Sequence, residues 1–533
     1  MKEFLERHKT TILAAIVLLG LMLRLGGLSR TGFNEDEINK YNAAQGYLHH
    51  DFSQNREHPM LMKALIAGSL AGSAWWNRHA GRLGRIADET AVRMPNAIFG
   101  GLTAVVLFLM AQELFGAAAG LFSAWFWATN PLAISINRVA KEDTLLVLFT
   151  WLGYYFYTRA KNIAAGEAAA AGRYYLASGI SFGLMLASKY FPHYFGLIFL
   201  YYYWFGDKAK YPPRGRKDNL LLFGGMMAAL VAANPIILLP GTWIYMLHYV
   251  QGADLSRHAY LAFGRYRSEA LGLGGGMPAW FYLRYLAIKT PLPVLAAFGA
   301  GLVEALRRRR EAGASLLLFL LLAWIVPFSL LSSKWLRYML AWLPAVVMLA
   351  AVGAVKLLER LAAAARRWQP RPAAWLAAGS AALVLAAPGW AALRAAPYYA
   401  LYQNALARGP AGGSFPHEEL NDAGLRTAVR RICRAAPRGA VVAVESPTIR
   451  RVAAYYLIRY QRRDLRAVTL RASGTPIHAD PYYLIALGRK FEASAGLVHQ
   501  LEAHSRPVWI VDVDGIAADA VYQTAATRAE RRP

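Results

Sequence analysis

The chain has 533 residues, of which 56% are hydrophobic, 13% aromatic and only 17% charged, with 59 Lys and Arg against 32 Asp and Glu for a formal net charge of +27. Soluble domains carry about 25% charged residues, so this balance excludes a soluble enzyme as well as a disordered, collagenous or coiled-coil chain. The positive excess would suggest nucleic acid in a soluble protein, but it is expected of cytoplasmic loops between membrane spans; the single cysteine, Cys433, excludes an intramolecular disulfide, a Cys-based zinc site and a CxxC redox pair.

Residues 11–28 form an unbroken apolar run behind Lys2, Arg7 and Lys9. The run is long for a signal-peptide core and no small-x-small cleavage site follows, so it reads as an anchor. Further runs of membrane length lie at 91–113, 118–136, 144–157, 174–188, 190–205, 219–239, 280–303, 315–331, 338–355 and 373–393, giving about eleven spans. A cytoplasmic N-terminus puts the Lys- and Arg-rich segments 207–217, 304–311 and 356–371 inside. The outer side then receives loops 29–90, 137–143 and 240–279 and everything from residue 394. There the composition turns to short strands at 440–444, 467–470, 482–486 and 508–513 and a helix at 450–460. The expected architecture is a polytopic α-helical membrane domain, 1–393, carrying a C-terminal extracytoplasmic α/β domain, 394–533. The expected location is the cell (inner) membrane.

The densest acidic cluster, Asn34-Glu35-Asp36-Glu37, stands just past the outer end of the first span, and a second pair, Glu142-Asp143, lies in the next outer loop. Outer-loop carboxylates are most often solvated and inert. Two features favour a functional reading. Glu57-His58-Pro59 adds an acid and an imidazole in the same loop as the first cluster. Lys189, Arg257, Arg265, Arg267, Lys289, Lys334 and Arg337 also fall outside, against the rule that governs the rest of the chain. Snorkelling to lipid head groups accounts for about half of these cations; the sharper reading is an anionic group bound at the outer membrane surface, which guanidinium and ammonium groups would complement. Acids and cations at a lipid–water boundary suit a reaction in which a lipid-linked phosphate departs and a hydroxyl or amine attacks. A sugar phosphate leaves as a stable anion and needs positive charge around it, so one carboxylate base suffices.

Gly32-Phe33-Asn34-Glu35-Asp36-Glu37, Glu57-His58-Pro59-Met60-Leu61, Arg138 through Asp143, Ser188-Lys189-Tyr190, Lys289-Thr290-Pro291-Leu292 and Lys334-Trp335-Leu336-Arg337-Tyr338 together resemble the ordered landmarks of the phospholipid-carrier-dependent glycosyltransferases. That family includes protein O-mannosyltransferases and the lipid A aminoarabinose transferase. The resemblance spans about residues 24–425, and Pro397 to Leu406 followed by Gly412-Gly413 is similar to the stretch after the last span in bacterial members. It implies the C-type glycosyltransferase fold, a polyprenyl-phosphate sugar donor used on the outer face, and inversion at the anomeric centre. It further implies Asp36 as general base with Glu37 beside it, and Glu57, His58, Glu142 and Asp143 around the donor or acceptor sugar. Arg138, Lys189, His258, Lys289, Lys334 and Arg337 are implied to face the polyprenyl phosphate. Met60 stands where the family has a second proline, and the glycine that often follows the histidine at 258 is absent.

The expected partners are a polyprenyl-phosphate-linked sugar, membrane lipid and an acceptor protein, lipid or glycan, with no nucleic acid; no cofactor is required, and a divalent metal is left open. The alternative is a transporter or flippase of a lipid-linked sugar, which should place its ionisable groups near the bilayer midplane and show inverted repeats. A non-catalytic scaffold leaves the paired acids unexplained. Asp512-Val513-Asp514, a D-x-D of the kind that binds metal and nucleotide sugar, is too short to weigh against its extracytoplasmic position. Gly272 to Gly276 lacks the Lys-Ser/Thr of a phosphate-binding loop.

Overall fold

The structure, a computed structural model, describes residues 2–163, 168–207, 210–211, 213–251, 258–261, 265–268, 273–367, 370–407, 422–470, 481–487 and 495–523. Helix α1 (Lys2–Leu25) leads into α2 (Glu35–Leu48), α3 (Met60–His79), α4 (Asp88–Phe115), α5 (Ala117–Ala128), α6 (Pro131–Asn137) and α7 (Asp143–Asn162). Then come α8 (Ala168–Ser188), α9 (His193–Trp204), α10 (Arg216–Ala233), α11 (Pro240–Gln251) and an antiparallel hairpin, β1 (His258–Leu261) and β2 (Arg265–Ser268). The helical part ends with α12 (Phe281–Lys289), α13 (Leu292–Arg307), α14 (Ala312–Leu330), α15 (Leu343–Arg367) and α16 (Pro370–Ala395).

Among the described residues three helices, in α1, α4 and α14, are long and apolar enough to cross a membrane unaided. Several of the other apolar runs are broken where the sequence dictates it. Run 118–136 divides at Asn130-Pro131: proline lacks the N–H and clashes inside a helix but suits its first turn, and the Asn130 side chain caps α6 by accepting from Ala133 N at 3.0 Å. Run 280–303 divides at Thr290-Pro291, between α12 and α13, where Pro291 takes the N-cap position with no side-chain cap. Close helix packing depends on small residues, as it does in membranes, where burial of apolar surface supplies little drive. A Cβ on Gly301 of α13 would fall 1.8 Å from the Leu349 carbonyl oxygen of α15, and one on Gly353 would fall 1.9 Å from the Ala297 carbonyl oxygen. The core of this bundle holds the fully buried Trp127, Trp151 and Trp342; Trp127 Nε1 donates to the Gly100 carbonyl at 2.8 Å.

The C-terminal region comprises α17 (Leu425–Ala435), β3 (Val441–Val444), α18 (Pro447–Arg459), β4 (Arg466–Thr469), β5 (Pro481–Ala486), α19 (Ala495–His504), β6 (Trp509–Val513) and β7 (Ile516–Gln523). The sheet order is β4-β3-β5-β7-β6, with β3 parallel to β4 and β5, and β7 antiparallel to β5 and β6. Helix α17 buries Leu425, Ala428, Val429 and Ile432, spaced for one helical face, and turns Arg430, Arg431 and Arg434 outward. The D-x-D segment is a hairpin corner: Asp514 and Gly515 take φ of 50° and 81°, the left-handed pair that a two-residue β-turn between β6 and β7 requires.

Two features depart from the sequence-based expectation. Segment 29–90, read there as a loop, contains the fourteen-residue α2 and the twenty-residue α3. It also shares one hydrophobic core with the C-terminal region: Phe33, Ile38, Met62 and Ile66 pack in the same cluster as Leu425, Val429, Val452 and Tyr456. Polar contacts reinforce the seam. Tyr456 Oη accepts from Phe33 N at 2.7 Å and donates to Glu89 at 3.0 Å, and Arg426 bridges Glu89 at 3.1 Å and the Arg30 carbonyl at 2.7 Å.

Candidate active site

The first turn of α2 sets the geometry. Asn34 caps the helix: its side chain accepts from Glu37 N at 2.8 Å while the Glu37 carboxylate accepts from Asn34 N at 3.2 Å, a reciprocal capping box. Glu37 is fully buried and grips Arg93 of α4 through two bonds, Nε to Oε1 at 2.7 Å and Nη2 to Oε2 at 2.5 Å; it also accepts from Ala140 N at 3.0 Å. Arg93 donates onward to the carbonyls of Leu28, Thr31 and Gly32. The turn is thereby locked to α4 and to the loop before α7. Asp36, one residue earlier and so about 100° around the helix, points elsewhere, pairs with Lys141 and keeps 41% of its side chain exposed.

The loop before α7 is held as firmly. Asn96 donates to the carbonyls of Val139 and Lys141, the latter at 2.7 Å. This presents three consecutive charges in different directions: Lys141 to Asp36, Glu142 to Lys40 of α2, and Asp143 to Lys189 at 3.1 Å. His58 Nδ1 lies 3.6 Å from Glu142, and Lys40 also donates to Asn55 at 2.6 Å. Lys189 sits 5.4 Å from the centre of the Tyr338 ring, and Arg337 stacks over Trp335 and Tyr338. The result is a row of acid–base pairs, Glu142/Lys40, Asp36/Lys141 and Asp143/Lys189, with Arg337 close enough to act electrostatically on Asp36 and Asp143.

The charges decide the protonation states. Enclosure raises the Asp36 pKa, but Lys141 and Arg337 more than reverse this and hold the carboxyl below its ordinary range. Glu142 and Asp143 are likewise raised by burial and lowered further by the cations facing them, with a net fall in both. His58 goes down to about 3, chiefly from burial, so its imidazole is neutral at pH 7. Burial also brings Lys63 of α3 down to about 7; its ammonium donates to the carbonyls of Asn55 at 2.5 Å and His58 at 2.8 Å, which fixes the path of the 55–58 loop. Among the described residues no three His, Cys, Asp or Glu converge as metal ligands; the carboxylates of the row each face a lysine instead.

Residues 73–238 match the sequence model of the family described as dolichyl-phosphate-mannose-protein mannosyltransferase, a stretch that includes Glu142, Asp143 and Lys189 but not Asp36. Over the whole chain the fold is similar to ArnT from Cupriavidus metallidurans in the apo state, with a TM-score of 0.55 at 14% identity, covering 98% of this chain and 99% of that one. The same enzyme bound to undecaprenyl phosphate matches at a TM-score of 0.50 and 15% identity, over 97% and 98% of the two chains. The oligosaccharyltransferase AglB from Archaeoglobus fulgidus, in complex with an inhibitory peptide and a dolichol-phosphate, matches at 0.51 and 12% identity, over 99% of this chain and 75% of that one. The chain has the C-type glycosyltransferase fold. A search of curated protein sequences returns no match.

Within this C-type glycosyltransferase fold the expected site residues separate into two groups. Asp36, His58, Glu142, Asp143, Lys189 and Arg337 come together as described; Glu57 lies at the edge, accepting from Asn55 Nδ2. The others are engaged in holding the fold. Glu37, expected beside Asp36 in catalysis, has both oxygens taken by Arg93 and backbone N–H groups and no exposed surface. Arg138, expected at the phosphate, instead caps the first span, donating to the carbonyls of Leu23, Arg24, Gly26 and Gly27 at 2.6 to 3.2 Å. Lys289 is buried and donates to the Ala400 carbonyl beneath the segment that Asn404 ties to α12, and Lys334 is buried on the carbonyls of Met277 and Leu331. Orphan carbonyls at helix ends and loops need such donors, which explains basic residues at these places without a ligand. His258 begins β1, and its side chain lies outside the described residues, as do Arg257 and Gly412-Gly413. Sequence reasoning passed over Lys40 and Lys141, two of the three lysines that neutralise the row; Lys141 adjoins the acidic pair, and Lys40 lies one turn beyond Asp36 on α2.

Proposed function

We propose that this membrane protein transfers a sugar from a polyprenyl phosphate to an acceptor hydroxyl or amine, inverting the anomeric centre, with Asp36 as the base. One observation carries this reading. Asp36 is the carboxylate of the row that is open to its surroundings, whereas Glu142 and Asp143 are almost wholly buried against lysines. The acceptor oxygen or nitrogen attacks the anomeric carbon, the bond from that carbon to the phosphate oxygen breaks, and the carrier leaves with the electron pair. The acceptor's proton goes to Asp36. Lys189, Lys141 and Arg337 place positive charge where the phosphate develops its second negative charge. The strongly ionised state of Asp36 suits the task, because the attacking group becomes acidic only as its new bond forms. Glu37 and Arg93 act by positioning: they fix the turn from which Asp36 projects. Neutral His58 lies 3.6 Å from Glu142, and in this reading it and Glu57 border the sugar.

The relatives support the donor class. ArnT is described bound to undecaprenyl phosphate and AglB in complex with a dolichol-phosphate. We place residues 1–393 in the membrane domain and 394–533 outside it, with the N-terminus cytoplasmic and the site at the outer face. A transporter of the same lipid would instead need its ionisable groups at mid-bilayer depth, whereas these cluster at helix ends beside α2 and the C-terminal sheet. The test is release of free polyprenyl phosphate from a panel of polyprenyl-phosphate sugars, with Asp36→Asn as control. Wild-type protein should release carrier and the variant should release almost none while binding donor normally. Full release by Asp36→Asn, or no consumption of any donor by the wild type, refutes the assignment.

A further inference from the structure

A cavity separate from the acid–base row opens between α2 and the C-terminal region, with a volume of about 960 Å³. Its walls carry two tyrosines. Tyr41 of α2 and Tyr455 of α18 meet edge to face at 5.4 Å, both against Phe33, and Tyr455 is fixed by donating to Asp88 at 2.7 Å. The rim carries Arg438, Arg459 and Arg463, all exposed. Of the cavity's two carboxylates, Asp464 is paired with Arg462 through bonds of 2.9 and 2.8 Å, and Asp88 accepts from Tyr455 and keeps its charge, so among the described residues three guanidinium groups line the cavity with one unpaired carboxylate. Among the described residues no ion pair joins any of the three rim arginines to an acid.

Three guanidinium groups against one unpaired carboxylate leave the concavity net positive, and their planar forks match phosphate or carboxylate oxygens in bidentate fashion. The paired tyrosine rings offer an amphipathic wall with both apolar faces and hydroxyls, suited to a pyranose. The site is a wide, open concavity, whereas contact with a membrane surface would call for a flat or convex basic patch. We propose that this cavity binds a saccharide bearing a phosphate or carboxylate group, the anionic part of the acceptor. Calling it the acceptor rests on the transfer reading above; the binding site itself does not. Tyr41 lies five residues beyond Asp36, a rise of about 7.5 Å along α2, so one helix carries both the proposed base and one wall of the cavity.

The full-length protein in zwitterionic-lipid nanodiscs is titrated with maltose 1-phosphate and with maltose, and carrier release is measured on the same preparations. Arg459→Gln/Arg463→Gln should weaken binding of the phosphorylated sugar by about tenfold or more while leaving the weaker binding of maltose unchanged. Arg438→Gln alone should give a smaller loss. These side chains are exposed, so the variants should fold normally, and unchanged thermal unfolding checks this. Equal affinity for the two sugars, unchanged affinity in the double variant, or a loss confined to binding of phosphatidylglycerol vesicles overturns the proposal, even where carrier release is normal. Loss of sugar-phosphate binding in the variants upholds the site even if the wild type proves to release no carrier, so the two readings fail separately.

Discussion

Glu37→Gln provides a sharp test, because adjacent acids on α2 are assigned opposite roles. The substitution keeps the shape of the side chain but removes its charge, leaving the Arg93 guanidinium buried without its carboxylate. Removing one partner of a buried, hydrogen-bonded ion pair costs about 3–5 kcal/mol, since the remaining charge loses its compensation. Here the loss falls on a single locus, comprising the capping box of α2, the Ala140 amide and the Leu28 to Gly32 turn that Arg93 holds. The expected result is a lower unfolding temperature with faster amide hydrogen exchange concentrated in residues 28–48 and 138–142. Transfer should fall in proportion to the folded fraction and recover on cooling. Asp36→Asn should behave oppositely, losing transfer at every temperature while its stability falls by less than that of Glu37→Gln, because Asp36 is 41% exposed and its ion pair with Lys141 is partly open to solvent. If Glu37→Gln unfolds like the wild type yet transfers nothing at any temperature, Glu37 takes part in the chemistry and the positioning role is wrong.

Lys141→Met removes a cation that lowers the Asp36 pKa, so the acid limb of the pH–rate profile should move to higher pH; an unmoved limb would show that Asp36 is not the titrating base. The sign for stability is the same as for any depressed carboxylate: the Lys141–Asp36 contribution is present above the unfolded carboxylate pKa and lost as pH falls through the folded one, so the variant should be less acid-sensitive in unfolding than the wild type. Arg337→Ala should raise the donor dissociation constant with little change in unfolding temperature, whereas Lys289→Ala should lower the unfolding temperature and leave donor affinity near wild type; equilibrium binding and thermal unfolding separate the two. Gly353→Ala should destabilise the α13–α15 contact by at least the 1–3 kcal/mol (roughly) typical of overpacking, read as a drop in unfolding temperature; an unchanged value would show that the two helices can separate at no cost.

The helical membrane architecture and the sites of its acids were legible from apolar runs and charge placement, because both are local properties of the chain. Which acid does what was harder to read, although one cue was present: Asn34-Glu35-Asp36-Glu37 spells a capping box, which assigns the fourth residue to the helix end and frees the third. The backbone partners of the outer cations were not legible for a physical reason. Arg138, Lys289 and Lys334 serve main-chain carbonyls far away in sequence, and nothing in a single chain's residues distinguishes a cation facing a phosphate from one facing a peptide oxygen. The helices at 35–48 and 60–79 were passed over because the first has little apolar character and the second follows a proline that reads as a loop signal. Strand β7 escaped notice because Asp519 interrupts its apolar run, and only the pairing with β5 and β6 establishes it.

The common core beneath α2 has a practical consequence for anyone who would re-engineer specificity. Because Phe33 and Ile38 share one apolar cluster with Val452 and Tyr456, a chimera made by exchanging everything after residue 393 would replace the packing partners of the helix from which Asp36 projects. A graft that keeps this core whole carries residues 29–92 and 422–523 together.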